Sequence, residues 1–496
     1  MLEKIVFALL LSAPAWADNN CDRIAKLQLP HTAITSAEAV TSGVFAPPSG
    51  PLISGLPAFC RVAATLKPTA DSDIGIEIWL PQSGWTGRME GTGNGGFAGK
   101  ISYGALANGV KLGYAVTNTD MGLTTPGNAD ASIFANQPER WADWGWRSTH
   151  EMTVAAKQVV KAYYGRNANR AYFSGCSTGG EQALMEAERF PDDYDGIVGG
   201  AAAQNRTGVH VSILWNFMAT RQEPGAYIPA AKIPALTKAV VAACDNLDGV
   251  KDGIINDPRK CSFNPASLLC SGADNDSCLT RPQVETVKRL YAGPSNPRTR
   301  EKLYPGLTRG SEFGWAALGK PPGPQATPPY EPIFQWAFGT NWDWRTFDFD
   351  QANAAYTRKL ASAVNATSPN LDQFRAKGHK LISYHGWADW LVAPSETLNY
   401  YSTVSSRYPG QVTNFYRLFM VPGMAHCGGG PGPDHFDTLG AVVKWVEQGA
   451  APDQIIATKS ATNLQRPLCP YPEAARYKGT GNPNEAASFT CVAPNK

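Results

Sequence analysis

Apolar and polar positions along the chain fall into two periodicities. Ile74-Gly75-Ile76-Glu77-Ile78-Trp79-Leu80 alternates in part and is rich in β-branched residues, which predicts a strand. Tyr114 to Asn118, Ala171 to Ser174 and Gly196 to Gly200 read as short buried strands. Between them, Thr149 to Tyr164 carries Met152, Ala155, Ala156, Val159 and Val160 at helical spacing, and Glu181 to Arg189 reads as a second helix. Strands alternating with helices imply a largely parallel sheet, so the fold class is α/β. The pattern resumes at Lys380 to Tyr384 and Tyr416 to Val421 and closes with a helix over Leu439 to Gln448. From about 206 to 365 it lapses into short helices, Pro-rich loops and many aromatics, with Pro321-Pro322-Gly323-Pro324 and Pro328-Pro329 as loop markers. The expected organisation is one α/β unit, 18–205 and 366–496, interrupted by an insertion at 206–365.

Composition narrows the class. Apolar residues make up 43% and charged residues 17%, with a net charge of +2. That balance argues against a disordered chain and against a charge-driven nucleic-acid binder. Residues 1–17 have the shape of a cleavable export signal: a weakly basic start, an apolar run from Ile5 to Ala13, and Ala15-Trp16-Ala17 as an A-x-A site. The run is shorter than the roughly 20 residues that span a bilayer, and no other stretch reaches that length. The expectation is a secreted or periplasmic protein with no membrane or nucleic-acid partner, in a compartment where disulfides persist. All ten cysteines follow Ala17, so five bridges are possible.

Chemistry concentrates in a few segments. Gly175-Cys176-Ser177-Thr178-Gly179 matches G-x-S-x-G between a predicted strand and a predicted helix, the context of a nucleophile elbow. Such a serine needs an imidazole base oriented by a carboxylate. His426, in the small-residue loop Gly423 to Gly430, is the candidate base, and Asp389, a short turn after a core strand, is the candidate acid. His385, at the end of that strand, reads as a packing histidine. Cys176 precedes the serine and Cys427 follows the histidine. If Ser177 and His426 meet, a Cys176–Cys427 bond becomes feasible and would clamp the two loops; two separate pairings are the alternative. The oxyanion donors should be the N–H of Thr178 and one from Asn94-Gly95-Gly96-Phe97, with Gly95 preferred and Gly96 next. Asp245, Asp248, Asp252 and Asp257 crowd one loop flanked by Cys244 and Cys261. Their repulsion would be relieved by a hard cation such as calcium, in a structural role, since the loop is remote in sequence from the triad.

With these residues in place the chain resembles the tannase and feruloyl esterase family, whose CS-D-HC motif is complete in Cys176-Ser177, Asp389 and His426-Cys427. The resemblance covers nearly the whole chain after the signal. It implies an α/β-hydrolase core, with 206–365 as a lid. It implies calcium held by Asp245, Asp248 and Asp252 side chains and by Val250 and Ile254 carbonyls. The implied pairs are Cys21–Cys60, Cys176–Cys427, Cys244–Cys261, Cys270–Cys278 and Cys469–Cys491. The implied activity is hydrolysis of small aromatic esters, free or linked to plant polysaccharide, with a hydroxycinnamate, gallate or terephthalate acyl group: feruloyl esterase first, then tannase, then mono(2-hydroxyethyl) terephthalate hydrolase. Lid aromatics Phe313, Trp315, Trp336 and Phe338 could stack on the ring, and Leu391 and Val392 could line the acyl pocket; all are equally suited to packing. A serine peptidase and a calcium-dependent binding module are the alternatives from other classes.

Overall fold

The computed structural model describes residues 20–123, 133–318, 321–323 and 326–494; the export segment expected at 1–17 lies outside them. Its centre is a nine-stranded sheet. In chain order the strands are β1 (Thr32–Val40), β2 (Phe59–Leu66), β3 (Ile74–Pro81), β4 (Arg88–Thr92), β5 (Ala115–Thr119), β6 (Arg170–Cys176), β7 (Gly196–Gly200), β8 (Lys380–Gly386) and β9 (Tyr416–Val421). Across the sheet they run β1-β2-β3-β5-β4-β6-β7-β8-β9. The last six in that order are mutually parallel, as the alternating pattern implies. The first three are antiparallel additions at one edge.

Period-two alternation decides which residues face which layer. Phe173, Ile197, Leu381 and Leu418 point into one apolar cluster, and their neighbours Tyr172, Val198, Ile382 and Phe419 into another on the opposite face. Helix α1 (Ser148–Tyr164) covers the first face with Met152, Ala155, Ala156, Val159 and Val160, and ends at Gly165 in the left-handed conformation, which suits glycine. The helix Thr438–Gln448 covers the second face with Val442, Val443 and Trp445. Both faces are buried, so the strands are short apolar runs rather than amphipathic ones.

The segment 206–365 supplies most of its apolar side chains to two clusters. Val211, Leu214, Phe334 and Trp336 join Met121, Leu123, Phe134 and Trp144 in a cluster shared with the α/β unit. Leu236, Val240, Val284, Val287 and Leu290 form a second cluster around the Cys244–Cys261 loop. Trp336 is fully buried and stacked on Phe134, and Trp315 is also buried, so both are packing residues rather than free faces for a ligand. All five cysteine pairs are formed as the resemblance implies, and no described cysteine is free.

Candidate active site

The site sits at the carboxyl ends of the parallel strands, where loops converge in an open α/β sheet. β6 ends at Cys176, and helix α2 (Thr178–Arg189) begins two residues later. Ser177 makes the turn alone, at φ 66°, a backbone region that non-glycine residues rarely occupy. Three bonds hold it there. Its N–H donates to Gly200 O at 2.9 Å, and its carbonyl accepts from Glu181 and Ala203 at 3.1 and 3.2 Å. Gly175 is obligatory: a Cβ there would lie 2.6 Å from Gly179 O, because the incoming strand and outgoing helix nearly touch.

β8 and β9 deliver the other two groups. After β8 the chain turns, and Asp389 is fully buried. Asp389 Oδ1 accepts the N–H groups of Leu391 and Val392 at 2.8 and 3.0 Å. Its Oδ2 faces His426 Nδ1 at 2.6 Å, and His426 Nε2 faces Ser177 Oγ at 2.7 Å. With the carboxylate at Nδ1, the ring proton sits on Nδ1, and Nε2 is left to accept from the Ser177 hydroxyl. Burial would push the Asp389 carboxyl up. The His426 charge and hydrogen bonds from His385 and His426 outweigh it and hold Asp389 well below the usual carboxylate range.

His385 is a packing histidine with a further role that its position did not reveal. It is fully buried, and its Nε2 lies 3.1 Å from both Asp389 Oδ2 and Val392 O, while Nδ1 lies 2.8 Å from Thr397 Oγ1. Both partners of Nε2 are acceptors, so that nitrogen carries the proton. Asp389 therefore stands between two imidazoles. The i,i+4 spacing of His385 and Asp389 across a strand-end turn was the available signal.

The glycine-rich loop after β4 reaches the start of α2. Asn94 is bonded on both sides of its peptide: its N–H donates to Gln182 Oε1 and its carbonyl accepts from Gly179, each at 2.8 Å. The next residue, Gly95, is exposed with open space at its α-carbon. Thr178 is the first residue of α2, where a helix N–H has no intrahelical acceptor. Thr178 and Gly95, the two expected oxyanion donors, thus lie next to the residues, Gly179 and Asn94, through which the two segments are hydrogen-bonded. Cys176 and Cys427 are bonded, with Cα atoms 6.0 Å apart, so the loops bearing Ser177 and His426 are covalently joined. Leu391 is half-buried and Val392 buried beside this centre, and both join a small apolar cluster with Val209 and Tyr304.

The acidic loop is remote from the triad in sequence but not in space. A Cβ at Gly423, in the His426 loop, would lie 2.9 Å from Ile254 Cγ2. Gly253 and Ile255 also share a cavity of about 260 Å³ with Phe313, Trp387, Ala388 and Gly430. Within the loop, Asp245 Oδ1 accepts N–H groups from Asp252, Gly253 and Ile254, and Asp248 Oδ1 accepts from Val250. Asp252 is paired with Arg466. Asp257 turns away, to Arg259. Burial, reinforced by neighbouring carboxylates, raises the Asp248 and Asp252 pKa values. Asp245, Asp248 and Asp252 offer only oxygen donors, the kind a hard divalent ion takes, but their oxygens are not gathered within 4.8 Å of one another.

A mostly parallel sheet flanked by helices, with Ser177, Asp389 and His426 in that chain order at its carboxyl edge, defines an α/β hydrolase. The family profile described as tannase and feruloyl esterase matches residues 60–327 and 332–492. The chain belongs to that family and is a carboxylic ester hydrolase. An uncharacterized esterase of Xanthomonas campestris pv. campestris is 38% identical, over 98% of this chain and 93% of the relative. The mono(2-hydroxyethyl) terephthalate hydrolase of Piscinibacter sakaiensis is 33% identical, over 90% and 87%. The crystal structure of feruloyl esterase B from Aspergillus oryzae superposes with a TM-score of 0.86 at 29% identity, covering 95% of this chain and 99% of that one.

Proposed function

We propose that this protein is an exported serine esterase that hydrolyses esters of aromatic carboxylic acids, feruloyl esters foremost, through an acyl-enzyme. The observation that carries the reading is the unbroken path from Ser177 Oγ through His426 to Asp389. Ser177 attacks the ester carbonyl as its proton passes to His426 Nε2. Asp389 holds the Nδ1–H tautomer and stabilises the imidazolium. The Thr178 and Gly95 N–H groups receive the oxyanion. His426 then protonates the leaving alcohol and later activates the water that releases the acid. Export to the periplasm or medium is supported by five disulfides and by the residue pattern of 1–17. Among the described residues no helix is long and apolar enough to cross a membrane.

Calcium in this reading is structural. Asp245, Asp248 and Asp252, with the Val250 and Ile254 carbonyls, would hold it, and it would supply charge neutralisation in the loop rather than contact with the ester. The substrate is a small aromatic ester, free or attached to a plant polysaccharide. Methyl ferulate, methyl gallate and a terephthalate monoester, compared by kcat/KM, rank the three candidate acyl groups. Ser177→Ala should abolish turnover of all three while the fold persists; full activity in that variant would refute the assignment.

A further inference from the structure

A buried polar chain runs beneath the nucleophile and ends on the glycine loop. The Arg206 guanidinium donates from Nε to Glu181 Oε2 at 2.6 Å, and its Nη2 also contacts that oxygen. The same Nη2 donates to Thr178 Oγ1 at 2.9 Å. Thr178 Oγ1 in turn donates to Gly96 O at 2.6 Å. Arginine only donates, so the Thr178 oxygen must accept from it. The hydroxyl proton is therefore committed to Gly96. The side chains of Arg206 and Glu181 are 4% and 1% exposed, and the guanidinium lies 5.0 Å from the Trp144 ring. Little water competes for any of these bonds.

The chain joins three separate segments. Thr178 and Glu181 belong to the first turn of α2, Gly96 to the loop after β4, and Arg206 is the first residue of the helix Arg206–Ala219 that opens the insertion. The residue before it, Asn205, caps that helix and donates from Nδ2 to Glu396 Oε1 at 2.9 Å. The entry to the insertion is thereby pinned on both sides of the site.

We propose that the Thr178 hydroxyl and the Arg206 guanidinium are positioning residues that set the oxyanion hole and make its geometry depend on seating of the insertion. The inference rests on the reading of Ser177 as nucleophile. A carbonyl free to swing inward would present a negative dipole to the developing oxyanion. The Thr178 hydroxyl holds the Gly96 carbonyl away from that role, and Arg206 fixes the direction in which the hydroxyl donates. Glu181 supplies the counter-charge that lets Arg206 be buried. Thr178 thus contributes its N–H directly and its side chain indirectly.

The test uses the full-length protein and compares Thr178→Val, which keeps the N–H and removes the hydroxyl, with Thr178→Ser, which keeps both. The expected result is a loss in kcat of about tenfold or more for Thr178→Val, KM within about twofold, and recovery in Thr178→Ser, since interactions made only in the transition state act on kcat. Affinity for a phenylboronic acid, which forms a tetrahedral adduct on the serine, should fall in parallel with kcat. Thr178→Ala repeats the comparison if the valine variant does not fold. Arg206→Lys, which keeps the charge but not the fork, should fall between wild type and Thr178→Val. Wild-type kcat in Thr178→Val or Thr178→Ala, with Ser177→Ala inactive, overturns the positioning role and leaves the esterase reading intact. Activity in Ser177→Ala overturns the esterase reading itself. A loss confined to KM, or no rescue by serine, also overturns the proposal.

Discussion

Two loops of this molecule gather buried or half-buried carboxylates, and a disulfide borders each. At the Cys176–Cys427 clamp, Asp389 receives two backbone N–H groups and two imidazoles. In the Cys244–Cys261 loop, Asp245 and Asp248 receive backbone N–H groups only, and a single guanidinium serves Asp252. Hydrogen bonds are satisfied in both places. The pKa values differ with the partners: the two imidazoles hold Asp389 low against its burial, whereas burial, with neighbouring carboxylates added, raises Asp248 and Asp252. The first region is internally complete, whereas in the second Arg466 is the one side-chain cation paired with Asp245, Asp248 or Asp252 among the described residues. The contact between Ile254 and Gly423 makes the second a support for the first.

The sharpest way to break this contrast is to remove one charge from each region. Asp389→Asn should lower kcat by about 10³- to 10⁴-fold, because the asparagine amide cannot hold the reactive tautomer. Asp248→Asn should leave kcat nearly unchanged when calcium is absent, since it relieves repulsion there; steady-state rates with and without a chelator decide it. The disulfides give the next largest effect. Cys176–Cys427 closes a separation of 251 residues and Cys244–Cys261 one of 17. Chain-entropy scaling gives about 5.5 kcal/mol for the first and about 3 kcal/mol for the second. Replacing Cys176 and Cys427 with alanine should also lower kcat at temperatures where circular dichroism still reports a folded protein. Replacing Cys244 and Cys261 should cost stability alone.

The two regions were not equally legible in sequence. The elbow was readable because strand, glycine spacing and helix lie within fifteen residues of Ser177, and the small-residue loop after a core strand told which histidine to choose. Edge strand β1 was not, since its TAITSAEAV is alanine-rich and polar and takes its strand form from pairing with its neighbour. β4 was hidden for another reason, its Gly91-Thr92 merging with the glycine loop. The Arg206 chain spans segments more than one hundred residues apart, from Gly96 to Arg206, so no local pattern holds it. Its one trace is a lone charge opening an otherwise uncharged helix, RTGVHVSILWNFMA. The nearness of the acidic loop to Gly423 had no trace at all: it depends on how the insertion folds back.

A third carboxylate sharpens what compensation means. Glu90 is fully buried beside β6 with one hydroxyl partner, Ser174 Oγ at 2.5 Å, and burial pushes its pKa up to about 7. The ordinary glutamate value is about 4.5, so the folded protein holds a proton that the unfolded chain gives up. Stability should therefore fall as pH rises from about 4.5 to about 7 and level off above, by about 3 kcal/mol. Asp389 has the opposite sign: its contribution is full above the ordinary aspartate value and is lost as pH falls below it. Glu90→Gln should reduce the neutral-range slope in chemical denaturation by that share and leave the acid limb in place, the rest of the slope coming from other buried carboxyls such as Glu188 and Glu312. A slope identical to that of the wild type would mean that Glu90 contributes none of it and is ionised in the fold.

Calcium removal is the smallest effect and the most selective. A site at one hundred times its dissociation constant contributes about 2.7 kcal/mol, which for a chain of this length is a Tm shift of about 3 °C. Chelation should produce that shift in wild type and not in Asp248→Asn. Because Ile254 packs against the loop bearing His426, the apo-protein should keep wild-type kcat well below its Tm and lose it a few degrees before global unfolding, as that loop loosens first. Activity lost at low temperature in a fully folded apo-protein would instead place the cation in the chemistry. Activity that tracks global unfolding in both forms would mean that the acidic loop steadies the fold without steadying His426.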